Sequence, residues 1–229
     1  MRLPKSPRRP KAPRRPNPRL PEVSCLPAIS AREGVYPPAE DSWLLQAAAS
    51  RFARGRFLDL GCGTGIIGVT AALLPRVSQV VFADINLAAL ECARCNAVAN
   101  GVVPKSVFLR SDLFSRIPGL FDVIAFNPPY LPTAPGEELR GALNNAFDGG
   151  ATGRRVTDRF IKAAARRLKT GGVLLLVSSS LASSALDGNG NGETRAKLEA
   201  ESFSVSVVGE DSFFFEKLAV FQATRTKEL

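Results

Sequence analysis

The sequence predicts an α/β fold: a seven-stranded, mostly parallel sheet with helices on both faces and an antiparallel C-terminal strand. Three observations predict it. Short apolar runs of strand length alternate with longer helix-like runs, which is the pattern of βαβ units. A glycine loop, "GCGTG", joins the first apolar run directly to a helix-like one. Two β-rich runs close the chain with no helix between them, so they pair antiparallel.

Each element follows from its residues. "VYPPAEDSWLLQAAASRFA" reads as a helix entered through prolines. Pro38 suits the first turn, Glu40 and Asp41 favour its positive end, and Trp43, Leu44 and Ala47 supply the apolar stripe. "RFLDL" (56–60) is the first strand, and "GIIGVTAALL" the helix after the glycine loop. "QVVFADI" (79–85) is the second strand, followed by the helix "NLAALECARCNAVAN", closed by Gly101. "SVFLR" (106–110) and "FDVIAF" (121–126) are the third and fourth strands. An irregular stretch covers 131–152. "RRVTDRFIKAAARRLKT" is a helix stopped at Gly171-Gly172, and "VLLLVSSS" the fifth strand. "SFSVSVV" and "FEKLAVFQATR" are the last two.

The formal charge of +9 is unevenly placed. Residues 1–20 hold eight Lys/Arg, six prolines and no acid, which leaves the remainder near neutral. Residues 1–22 therefore read as a disordered basic tail, with loose RNA or ribosome contact as its functional reading, and 23–229 as one folded domain. The N-terminus lacks the apolar block of a secretory signal and no run is long enough to span a bilayer, so a cytoplasmic location is expected. Cys25, Cys62, Cys92 and Cys95 do not form a disulfide framework and read as small buried side chains. There is no histidine, which removes His-based triads and His metal sites. No metal site is expected.

In a parallel sheet, ligands bind beyond the carboxyl ends of the strands. Those ends carry Asp59 to Gly65 ("DLGCGTG"), Asp84, Asp112-Leu113 and Asn127-Pro128-Pro129-Tyr130. Gly61, Gly63 and Gly65 let the backbone turn tightly beside a ligand. Asp84, nineteen residues after Gly65, can take both hydroxyls of a ribose, and Asp112 can accept from an exocyclic amine. A nucleoside cofactor across the cleft accounts for all four tips. "GTGIIG" matches a dinucleotide fingerprint, but Asp59 would repel a pyrophosphate and suits a ligand with an amine and a sulfonium, S-adenosylmethionine.

The Asn-Pro-Pro-Tyr tip then acquires a chemistry. A planar amide or aryl amine is a weak nucleophile. It can be aimed at a methyl if two acceptors take its two hydrogens, and Asn127 Oδ1 and the Pro128 carbonyl can provide them. Pro128 and Pro129 stiffen the loop, and Tyr130 offers a flat face. Rate would come from alignment and charge stabilisation in a dry site.

"DLGCGTG", "ADIN", "SDLF" and "NPPY" resemble the class I S-adenosylmethionine-dependent methyltransferases that methylate amino groups, whose fold is Rossmann-like. "VYPPAEDSWLL" (35–45) and "AFDGGATGRRVTDRF" (146–160) are similar to stretches of the short archaeal and eukaryotic HemK-like release-factor glutamine methyltransferases. The resemblance covers about residues 33–225. It implies cofactor contacts at Ser42, Asp59, Gly61, Asp84, Asp112, Leu113 and Asn127. Family members usually carry threonine at the position of Ser42 and often glutamate at that of Asp59. It further implies N5-methylation of the glutamine in the Gly-Gly-Gln loop of a translation release factor. A small zinc-binding activator subunit is implied as well, adding to the sheet edge at "SVFLR".

Three other readings stand beside this one. A nucleic-acid (adenine N6) amino-methyltransferase would need a basic cleft, which the near-neutral body does not promise. A protein lysine methyltransferase shares the same motifs. An inactive partner subunit is opposed by the intact tetrapeptide and acids.

Overall fold

The computed structural model describes residues 26–134, 136, 144 and 146–225. The proposed tail, together with Cys25, lies outside the described residues. Among the described residues the chain forms α1 (Glu40–Phe52), β1 (Gly55–Leu60), α2 (Ile66–Ala72), β2 (Val77–Asp84), α3 (Leu87–Ala99), β3 (Ser106–Arg110) and β4 (Phe121–Phe126). They continue as α4 (Arg155–Ala164), β5 (Leu168–Ser179), α5 (Gly190–Ala200), β6 (Phe203–Ser212) and β7 (Lys217–Arg225), with two short 3₁₀ turns between.

The strands form one sheet in the order β3-β2-β1-β4-β5-β7-β6. Strands β1 to β5 pair in parallel. Only β7 runs against its neighbours, β5 and β6. Alternation along each strand sends side chains to two cores. Phe57, Phe82, Val123 and Leu175 face α1, α2 and α3 with Leu45, Ala49, Ile67 and Ala93. Leu58, Ile124, Leu174 and Phe221 face α4 and α5 with Phe160, Ile161 and Leu198. Both faces are covered, so the central strands are apolar on both sides, as their sequences demanded.

Several local readings change. α1 begins at Glu40 with Ala39 as its cap, so both prolines precede the helix. Its buried face is Asp41, Ser42, Leu45, Ala48 and Ala49, and Trp43 stands 53% exposed. The helix placed over 154–170 ends at Ala164, and Gly171-Gly172 lie inside β5. The reason is pairing: Leu168 already aligns with Phe121, and a bulge takes up the residues before Val173 meets Val123. α5 was not predicted, because its "GNGETRAKLEA" opens on two poor helix formers. Packing supplies what propensity withholds. The buried guanidinium of Arg154 pairs with Asp158 at 2.9 Å and Glu193 at 3.0 Å and donates to Thr194 Oγ1 at 3.1 Å, binding α5 to α4.

Cys62 and Cys92 are buried, whereas Cys95 is exposed and accepts from Arg32 Nη2 at 3.2 Å. No group of three or more His, Cys, Asp or Glu able to hold a metal occurs among the described residues. Among them, no helix is long and apolar enough to cross a membrane.

Candidate active site

The carboxyl ends of β1, β2, β3 and β4 open into a cleft of about 300 Å³. Ser42, Asp59, Gly61, Gly63, Asp84, Asp112, Leu113, Asn127 and Pro129 all line it. Gly34, Val35 and Tyr36, from the segment before α1, close one side. That segment is pinned by α3: Asn96 Nδ2 donates to the Ser30 carbonyl at 2.9 Å, and Ser30 N–H donates to Asn96 Oδ1 at 3.0 Å.

The acids differ in what they hold. Asp59 is 2% exposed, and its Oδ2 accepts from Gly68 N–H at 2.8 Å, tying α2 to the end of β1. Burial pushes its carboxyl well above the usual range, against the pull of that N–H. Asp84 accepts from Gly63 N–H at 3.0 Å on Oδ2 and from Asn86 N–H at 2.8 Å on Oδ1. Burial raises it too, with the amides of Asn86, Gly63 and Ile85 opposing. Asp112 sits on the rim, half exposed and paired with Arg159 at 3.0 Å. Leu113 holds φ at 46°, a left-handed conformation costly for a side-chain-bearing residue and placed at the cleft wall.

Gly65 makes the tight turn expected of it, with φ of 80°. It does not line the cleft. A Cβ there would meet Ala93 Cβ at 2.8 Å, so this glycine lets α2 approach α3. The N–H of Gly68, in the first turn of α2, is taken by Asp59.

A second cavity of about 240 Å³ abuts the first. Glu40, Asp41, Pro128, Tyr130, Phe147, Phe213 and Glu216 are among its walls. Tyr36, Asn127 and Ala146 belong to both cavities, so Asn127 stands in the partition. Its Nδ2 donates to Asp41 Oδ2 at 2.8 Å. Its Oδ1 is buried and has no hydrogen-bond partner among the described residues. The orientation is chemically forced: an ionised carboxylate only accepts, so the NH2 end must face Asp41 and the oxygen must face away. An unpaired buried acceptor costs about 1–3 kcal/mol, a cost removed when a ligand donates to it.

Asp41 is the residue that sequence reading missed as a site member; it appeared there only as a helix-favouring acid. It is 4% exposed. Oδ1 accepts from Ser42 N–H at 2.6 Å, Ser42 Oγ at 3.1 Å and Tyr36 Oη at 3.3 Å. Oδ2 accepts from Asn127 and from Tyr130 Oη at 3.3 Å. Burial, then the charge of Asp41, pushes both phenols upward, so both remain donors. The only sequence signal was its place one residue before Ser42.

The tetrapeptide is strapped from behind by the stretch 146–153. Leu131 N–H donates to the Phe147 carbonyl at 3.1 Å, and Gly149 N–H donates to the Leu131 carbonyl at 2.9 Å. Gly153 has φ of 72°, and a Cβ there would lie 2.2 Å from the Tyr130 carbonyl oxygen. Its glycines thus fit the loop's backbone, while Ala146 and Asp148 face the cleft.

A nucleoside bearing a cationic sulfonium fits these residues. Asp59 and Asp84 line the cleft, its two arginines among the described residues are already paired, Arg155 with Asp148 and Arg159 with Asp112, and Asn127 Oδ1 stands in its wall as a buried acceptor without a partner among the described residues.

The Methyltransferase small domain family matches residues 39–139. A Methanocaldococcus jannaschii protein, provisionally named a protein N5-glutamine methyltransferase, is 41% identical over 83% of this chain and 92% of its own length. Mouse methyltransferase HEMK2 is 37% identical over 63% of this chain and 71% of its own. Among solved structures, the E. cuniculi Mtq2–Trm112 complex, described as responsible for methylating the eRF1 translation termination factor, superposes with a TM-score of 0.62. That match has 28% identity and spans 84% of this chain and 99% of that one. With its cleft, its acids and its Asn-Pro-Pro-Tyr tip in this arrangement, the chain belongs to the HemK-like branch of the S-adenosylmethionine-dependent methyltransferases.

Proposed function

We propose that the protein methylates the side-chain nitrogen of the glutamine in the Gly-Gly-Gln loop of a translation release factor. One observation carries the reading: the buried Oδ1 of Asn127, without a partner among the described residues, in the wall between the two cavities. The larger cleft takes the cofactor and the smaller takes the glutamine. Ser42, Asp59, Gly61, Gly63, Asp84, Asp112 and Leu113 hold the cofactor, which when bound supplies an electrophilic methyl on sulfur.

Asn127 Oδ1 and the Pro128 carbonyl accept the two N–H groups of the substrate amide and turn its nitrogen toward the methyl. Asp41 keeps the Asn127 carboxamide from rotating. Tyr130, anchored through its hydroxyl to the same carboxylate, presents its ring to the planar group. Alignment in a water-poor site supplies the rate, and one of the two amide protons is released to solvent in the course of the transfer.

The smaller cavity is walled by Glu40, Asp41 and Glu216 and by no lysine or arginine among the described residues. That lining repels a phosphate backbone and supports a protein acceptor over DNA or RNA. The same acids would suit a lysine ammonium, which keeps the lysine reading as the second one.

The relatives' substrate and partner motivate the remaining assignments. A small zinc-binding activator subunit adds to β3, which lies at one edge of the sheet. The basic tail, residues 1–20, makes only a loose contact with RNA or the ribosome. Deleting it leaves methylation of a purified factor unchanged; a large loss of turnover would make the tail part of the site.

Incubating the enzyme, with and without such a subunit, with labelled cofactor tests the substrate. Mass spectrometry is expected to locate one methyl on the Gly-Gly-Gln glutamine. Label on DNA or on a lysine, with none on the factor, overturns the reading.

A further inference from the structure

The geometry points to the tip of the β6–β7 hairpin as the docking element for the acceptor protein, outside the pocket that takes the reacting side chain. This rests on the acceptor being a folded protein, as proposed above. The tip reads "SFFFEK", and its turn is closed by Phe213 N–H donating to the Glu216 carbonyl at 2.8 Å. That closure turns Phe214 and Phe215 outward, 100% and 76% exposed. Their rings meet edge to face with centroids 6.1 Å apart.

Among the described residues, no packing role explains the pair. β6 is covered by α1 and α5, and the two cores end before the tip. Exposed neighbouring aromatics mark interaction surfaces, and aromatic anchors dominate their energetics.

The occupant follows from position and charge. The hairpin's base is continuous with the acceptor cavity: Phe213, Glu216 and Leu218 form part of its wall. A protein that feeds a side chain into that cavity is thereby brought beside the hairpin. Glu216 is held in place, its Oε1 accepting from Ser179 Oγ at 2.6 Å. Around the tip, Glu210, Asp211 and Glu216 outweigh Lys217. A surface with an apolar contact flanked by basic side chains is complementary to it. The hairpin is also remote from the edge strand β3, because β6 closes the opposite edge of the sheet. A subunit added at β3 leaves it open.

The test compares the wild-type enzyme with F214S/F215S and F214L/F215L on an intact release factor, together with the activator subunit. The serine pair is expected to raise KM for the factor about tenfold or more. It should leave kcat and cofactor affinity within about twofold, since neither ring touches the cleft. The leucine pair should recover most of the loss. An unchanged KM in the serine pair, or a loss confined to kcat, overturns the docking role. So does a loss that tracks a change in oligomeric state or in capture of the activator subunit, which would assign the tip to self-association or to that partner. A wild-type enzyme that labels no release factor overturns the substrate reading itself, an outcome separable from an unchanged KM. The single variant F214S, at the fully exposed ring, gives the same reading should the pair disturb folding.

Discussion

Asn127→Ala is expected to reduce kcat by about 10³, with cofactor affinity changed no more than about threefold. The carboxamide is in the partition between the two cavities, and its Oδ1 has no partner among the described residues. Alanine removes the acceptor proposed to orient the substrate nitrogen and keeps the backbone path that lines the larger cleft. Because the lost contact matters most once the nitrogen is aimed at the methyl, the effect falls on kcat more than on KM. Single-turnover rates with saturating factor and cofactor, alongside calorimetric titration of the cofactor, check both halves. Turnover within tenfold of wild type would remove this oxygen from the mechanism.

Asp41→Asn is expected to lower kcat by about 10² with little change in cofactor binding, although the residue lies outside the cofactor cleft. The wild-type carboxylate accepts from Asn127, Tyr130, Tyr36 and Ser42. An amide at 41 has one acceptor end. Either its NH2 faces that of Asn127, which rotates Asn127 and misdirects Oδ1, or it faces Ser42 N–H and loosens the start of α1. Each leaves a buried donor unsatisfied, costing about 1–3 kcal/mol of stability. Thermal melting should therefore fall together with kcat. A variant with full turnover and a lower melting temperature would reduce Asp41 to a structural role.

The strands were largely legible from sequence. β3 and β4 coincide with "SVFLR" and "FDVIAF", because short apolar runs between polar turns leave little choice of register. Helix limits were less legible. α4 stops at Ala164 because Leu168 is claimed by the sheet, a competition between elements that local propensity does not register. Trp43 was assigned to a buried stripe by its apolarity, yet the face of α1 that meets the sheet begins with Asp41 and Ser42. Polar residues on that face make sense only once the cavity beneath them is known. Gly65 looked like its two neighbours in the loop, but the approach of α3 decides its use.

The order of polar residues at successive strand ends, and with it the cofactor class, was determined by the sequence alone. In a parallel sheet, chain order and strand polarity together deliver those ends to one side. Only the tertiary structure decided which way the Asn127 amide points. That direction depends on a hydrogen bond to a residue 86 positions earlier, from a helix whose own pattern carries no sign of the contact. Local periodicity reports which face of an element is buried. It does not report which buried groups meet, and here a carboxylate that can only accept, meeting an amide that can do both, sets the geometry of the site.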